Sequence, residues 1–123
     1  MMADRQNGTG WSFGPVSGPE MAQWCALLRD DNAIHLRREA AEAAGFGPRR
    51  VNPGPANLAY VISAAMAAHP QAEFAEIAAF FAGNVFEGDR LAVALTPGPG
   101  GTLYAEGRAA PVLQVQFTFK EHD

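Results

Sequence analysis

The run Asp30-Asp31-Asn32-Ala33-Ile34-His35 places carboxyls, a carboxamide and an imidazole within one short stretch. An imidazole with an unperturbed pKa of about 6.5 both takes and gives a proton at neutral pH, and a carboxylate can accept one from water. His35 therefore suits the role of a proton-transfer group. The same residues also suit an ordinary turn, with Asp31 and Asn32 capping the chain and His35 facing water. Spacing alone leaves both readings open. A second group follows at residues 52–55, Asn52-Pro53-Gly54-Pro55. Gly54 allows close backbone approach, and Ala56 and Asn57 keep N–H groups that Pro53 and Pro55 lack. A helix starting here can offer donors to a developing oxyanion, with Gly54 the favoured one. The alternative is a helix-starting turn and nothing more.

Other reactive side chains have plainer readings. Arg49 and Arg50 precede the glycine turn and can meet a phosphate, or stand as a solvated loop pair. Cys25 falls on the apolar face of a helix and reads as a buried structural thiol. His69 and His122 have no neighbouring ligands at metal spacing, so no metal site is expected.

These groups must be held by the elements around them. Ser17 followed by Glu20 is a capping-box signature, and Met21, Trp24, Cys25 and Leu28 then recur at helical spacing, which predicts a helix over residues 19–28. The candidate loop follows it. A short helix is expected over 37–44, stopped by Gly45-Phe46-Gly47-Pro48. The third helix, over 55–68, has almost no charged face, and a helix apolar nearly all round has to be wrapped. The wrapper is expected from four strand-like runs at 73–82, 89–96, 102–109 and 112–120. Phe74, Ile77, Phe80, Leu91, Val93, Leu113, Val115 and Phe117 should join the core. Residues 10–16 read as a short opening strand or an ordered arm, and residues 1–10 as a flexible segment. Helices followed by strands give an α+β class in one domain over residues 1–123.

Composition narrows the function classes. With 48% hydrophobic and 18% charged residues, general disorder is excluded. Nine Lys and Arg against 13 Asp and Glu give a net charge of -4, without the basic stripe that nucleic-acid binding requires. The longest apolar stretch is far short of the roughly 20 residues that a membrane-spanning helix needs. The single cysteine cannot form an intramolecular disulfide, and the start MMADRQNGTG lacks the apolar core of a signal peptide. A cytoplasmic location is the expectation.

Taken in order, these motifs resemble the MaoC-like hot-dog dehydratases, which include the (R)-specific enoyl-CoA hydratases. The resemblance runs over about residues 17–119. It is carried by a helix followed by Asp30-Asp31-Asn32-Ala33-Ile34-His35, by Ala43-Ala44-Gly45-Phe46-Gly47, and by Val51-Asn52-Pro53-Gly54-Pro55 before the long helix. Residues 80–89, Phe80-Phe81-Ala82-Gly83-Asn84-Val85-Phe86-Glu87-Gly88-Asp89, match a further strand and turn. Ala33 stands where the family has Pro, Asn52 where it has His, and Pro53 looks inserted in the turn. The resemblance implies a hot-dog fold, an antiparallel sheet around a long central helix. It also implies hydration of a trans-2-enoyl thioester of CoA or carrier protein, or the reverse dehydration. Asp30 and His35 are then the catalytic pair and Asn32 their orienting neighbour, while Asn52, Gly54, Ala56 and Asn57 lie along the substrate. No cofactor is implied, and a homodimer is expected. A non-catalytic or thioester-binding hot-dog subunit and a hot-dog thioesterase remain as alternatives.

Overall fold

The computed structural model describes residues 4–6 and 10–121. Strands β1 (Asp4–Gln6) and β2 (Gly10–Phe13) are followed by helices α1 (Gly18–Leu28), α2 (Arg38–Ala43) and α3 (Gly54–Ala68). Strands β3 (Phe74–Phe81), β4 (Leu91–Thr96), β5 (Gly100–Ala105) and β6 (Leu113–Phe119) complete the order. All six strands form one sheet in the order β1-β2-β4-β5-β6-β3, with every pairing antiparallel. Asp4–Gln6 pairs with Gly10–Ser12, so these three residues of the segment expected to be flexible form a strand.

The capping box forms as its spacing requires. The Ser17 hydroxyl accepts from the Glu20 N–H at 3.2 Å and donates to the Glu20 carboxylate at 3.2 Å. Met21 and Cys25 are the buried face of α1. The helix ends at Arg29, which adopts a left-handed φ of 55°, and this turns the chain out of the helix axis into the polar loop.

Helix α3 packs on β4, β5 and β6. Ala56, Asn57, Tyr60, Val61, Ala64 and Ala65 are its buried residues. A side chain at Gly101 would place its Cβ 2.7 Å from Val61 Cγ1, so a glycine in β5 is what lets sheet and helix approach this closely. The long helix is packed by the antiparallel sheet, as expected, and its far side is left open. Leu58 and Ile62 are only partly buried and Met66 is exposed, because the sheet covers one side of α3.

Of the expected core residues, Leu91, Val93, Leu113, Val115 and Phe117 are buried, and Phe74 packs against them half-buried. Ile77 and Phe80 are not core: they are 36% and 66% exposed. The reason is position in the sheet. Strand β3 is the edge beyond β6, whereas the residues of β4, β5 and β6 face α3.

Leu103 is fully buried and stands opposite Val93 in β4 and Leu113 in β6. Leu103→Ala should therefore destabilise the fold by about 2–5 kcal/mol, through lost burial and the cavity left behind. Exposed Leu27→Ala should stay within about 0.5 kcal/mol of the parent. Urea denaturation of the two variants checks both values.

Candidate active site

The polar loop is shaped by its own side chains. The Asp30 N–H donates to the Cys25 carbonyl at 2.9 Å, which ties the loop to the end of α1. The Asn32 N–H donates to Asp30 Oδ1 at 3.0 Å, and Asn32 Oδ1 accepts from the Ile34 N–H at 3.3 Å. Asn32 thus caps a single 3-10 turn, Ala33–His35, and orients the site by fixing that turn. With Oδ1 engaged, Asp30 presents Oδ2 to His35 Nε2 at 3.4 Å.

His35 is held from its other side. Its Nδ1 lies 2.7 Å from the Val51 carbonyl oxygen. A carbonyl only accepts, so Nδ1 carries the hydrogen and Nε2 is the position that takes or gives a proton. The Val51 N–H donates to the Ile34 carbonyl at 2.9 Å, so the loop and the segment before α3 are bonded in both directions. The side chain of His35 is 10% exposed and that of Asp30 is 37% exposed. The imidazole is thus enclosed, and the carboxylate beside it reaches solvent.

Beyond Val51 the chain enters the glycine turn. Pro53 and Pro55 have no N–H, and the Ala56 and Asn57 N–H groups both donate to the Pro53 carbonyl, at 3.0 and 3.2 Å. That leaves the Gly54 N–H, at the first position of α3, as the donor on this turn without an acceptor among the described residues. The N–H groups of Ala56 and Asn57, counted from the sequence as possible substrate donors, are committed to the helix start. A Cβ at Gly54 would lie 3.6 Å from the Phe81 ring, so that ring flanks the free donor.

Asn52 and Asn57 are buried, and Asn52 Nδ2 donates to Asn57 Oδ1 at 2.7 Å. Tyr60, one turn further along α3, is also buried. Burial, and then the Glu20 carboxylate, push the Tyr60 phenol up to about 12, with the Asn52 side chain opposing, so it stays neutral. Tyr60 was not singled out from the sequence, although Asn57 and Tyr60 sit at i and i+3 on a helix with no charged residue. Tyr60 also lines a cleft of about 1200 Å³ between α1 and the sheet, together with Trp24, Leu27, Arg90, Tyr104 and Arg108.

The remaining candidates have structural employment. Arg49 pairs with Asp89 at 2.9 Å, and Arg50 and Arg38 pair with Glu87 at 3.1 and 2.7 Å. Burial, and then Asp30, push the Cys25 thiol up, which keeps it protonated at neutral pH. Asp31 is exposed, and His69 rests against Phe119 at a ring separation of 5.4 Å. His122 lies outside the described residues. Among the described residues no three His, Cys, Asp or Glu side chains come together as a metal site. Among the described residues no helix is long and apolar enough to cross a membrane.

No protein-family model matches the sequence, and no curated protein matches it. Solved structures do. The chain superposes on the unliganded R-hydratase PhaJ1 from Pseudomonas aeruginosa with a TM-score of 0.73 at 20% identity, over 94% of this chain and 81% of that one. It is similar to the (R)-hydratase from A. caviae involved in PHA biosynthesis, with a TM-score of 0.70 at 18% identity, over 93% and 98%. A third likeness is to the ChsH1-ChsH2 complex from Mycobacterium tuberculosis, with a TM-score of 0.58 at 16% identity, over 86% and 82%. At these identities the likeness establishes the fold. The chain is an α+β protein with the hot-dog fold of these hydratases.

The ion pairs beneath the site make a pH prediction. The Glu87 carboxyl is held below its usual range, first by the hydrogen bond from Arg38, with burial opposing and Arg50 adding to the effect. A carboxyl whose folded value is depressed contributes its stability fully above its unfolded value of about 4.3 and loses it as pH falls through the folded value. Glu87→Gln should therefore flatten the fall in stability below about pH 4.3 relative to the parent. Urea midpoints measured from neutral to acid pH test this, and parallel curves would show that Glu87 is not responsible.

Proposed function

We propose that this chain is a MaoC-like hot-dog hydratase, one domain that interconverts a trans-2-enoyl thioester and a 3-hydroxyacyl thioester of CoA or a carrier protein. The observation that carries the reading is the 3.4 Å approach of Asp30 Oδ2 to His35 Nε2 beside an enclosed imidazole. Its support is the free Gly54 N–H on the segment to which His35 is bonded. In hydration, the Asp30 carboxylate takes a proton from water as the oxygen bonds to C3 of the enoyl thioester. The C2–C3 π electrons move toward the thioester oxygen, where the Gly54 N–H meets the developing charge. Protonated His35 gives its Nε2 proton to C2. Passing a proton from Asp30 back to His35 across their short gap restores the starting state, so no proton is gained or lost beyond the added water.

The likeness to two (R)-hydratases supports the same reaction class. A cytoplasmic location suits this reading. An edge strand with Ile77, Phe80 and Phe81 exposed would pair with a second copy, and we take the working form to be a homodimer.

Crotonyl-CoA should lose its enoyl absorbance when mixed with the protein. His35→Ala and Asp30→Asn should each lower turnover by about 10²- to 10⁴-fold with the fold retained. Asp31→Asn should lose little. If the parent hydrates no enoyl thioester, or His35→Ala keeps full activity, a thioester-binding or supporting subunit becomes the better reading. Release of free thiol would instead point to a thioesterase. Sedimentation at micromolar concentration should give a dimer, and Phe80→Glu should shift it toward monomer. A monomeric parent would remove the second copy from the proposal.

A further inference from the structure

We infer that Asn52 and Asn57 form a buried polar staple that aims the two halves of the site, with Asn52 as the positioning residue. The inference rests on the hydratase reading for its kinetic consequence but not for its geometry.

A helix start is commonly fixed in two ways, by a capping side chain and by an apolar contact between the residue before the cap and the fourth helical residue. The first is absent at α3, because its cap is Pro53 and makes no side-chain hydrogen bond. The second is replaced by a polar contact. Asn52 precedes the cap, Asn57 is the fourth helical residue, and Asn52 Nδ2 donates to Asn57 Oδ1 at 2.7 Å in a buried setting. An apolar pair would hold the chain equally close but would not fix the direction of the amide, whereas hydrogen bonds fix orientation as well as distance.

That orientation matters because of what lies on either side of Asn52. Its own N–H and the Val51 carbonyl belong to one planar peptide unit. The N–H end donates to the Val85 carbonyl at 2.8 Å, and the carbonyl end accepts from His35 Nδ1 at 2.7 Å. Two residues further on is the free Gly54 N–H. Turning the Asn52 side chain therefore tilts the acceptor that selects the His35 tautomer and moves the donor proposed for the oxyanion. One staple sets both.

The test reads the two consequences separately. The imidazole of His35, followed by ¹⁵N NMR at a pH where it is neutral, should show the Nδ1–H tautomer in the parent. In Asn57→Leu it should move to a mixture of tautomers. In the crotonyl-CoA assay the same variant should lose roughly tenfold in kcat with KM within about twofold, the pattern of an interaction made in the transition state. Should Asn57→Leu fail to fold, Asn57→Ala removes the same acceptor without adding bulk at the buried site, and the same two readouts apply to it. A folded variant with an unchanged His35 tautomer and unchanged kcat overturns the inference. A parent that hydrates nothing overturns the hydratase reading instead, and the tautomer measurement still decides whether the staple orients His35.

Discussion

The peptide unit between Val51 and Asn52 is the constraint on which the site depends. Its carbonyl accepts from His35 and its N–H donates to Val85, so a single rigid plane spans from the polar loop to the segment that leads into β4. A histidine on a loop has many rotamers and two tautomers. Bonding Nδ1 to a backbone oxygen selects one of each, at less entropic cost than a side-chain partner that must itself be ordered. Asp30 then meets a nitrogen whose position is already set.

That plane stays in place because the turn over residues 84–90 is clamped to it. Glu87 receives Arg38 and Arg50, and Asp89 receives Arg49 and Arg108. Isolated exposed ion pairs contribute about 0–1 kcal/mol and would be a weak clamp. Here both carboxylates are mostly covered, with side-chain exposures of 16% and 10%, and each is shared between two guanidinium groups. The Arg49 and Arg108 charges lie 5.0 and 5.7 Å from the Phe86 ring centre. The Val51 to Phe86 bridge and the Glu87 N–H donated to the Arg50 carbonyl add backbone bonds to the same seam. The arginines that looked available for phosphate are what hold the turn in register.

What the sequence made legible follows local rules. The capping box, the helical spacing of Met21 and Cys25, the alternation in β6 and the order of the long helix and strands all depend on near neighbours, and all appear in the structure. The pairing of Asp30 with His35 was legible through the resemblance, since spacing alone also allowed a turn. Three features were not. The partner of His35 is a backbone carbonyl, which no residue type announces. The N–H groups of Ala56 and Asn57 are spent on Pro53, which depends on the dihedral angles of the turn. The exposure of Ile77 and Phe80 follows from β3 being the outer strand, and alternation says which side chains share a face but not which strand stands at the edge.

The unequal exposure of the pair suits the proposed reaction. A carboxylate at 37% exposure keeps its contact with water, while the imidazole beside it, at 10%, is shielded and held by a short bond. Were both enclosed, neither could exchange protons with solvent without opening the fold; were both solvated, neither would keep its orientation. The loop achieves the asymmetry by covalent order. Asp30 leaves the helix end at the left-handed Arg29, and the 3-10 turn capped by Asn32 carries His35 back under the chain toward Val51. The five-residue step from Asp30 to His35 is the length of that turn, so the spacing of the motif sets a partly solvated carboxylate and an enclosed imidazole on opposite sides of one gap.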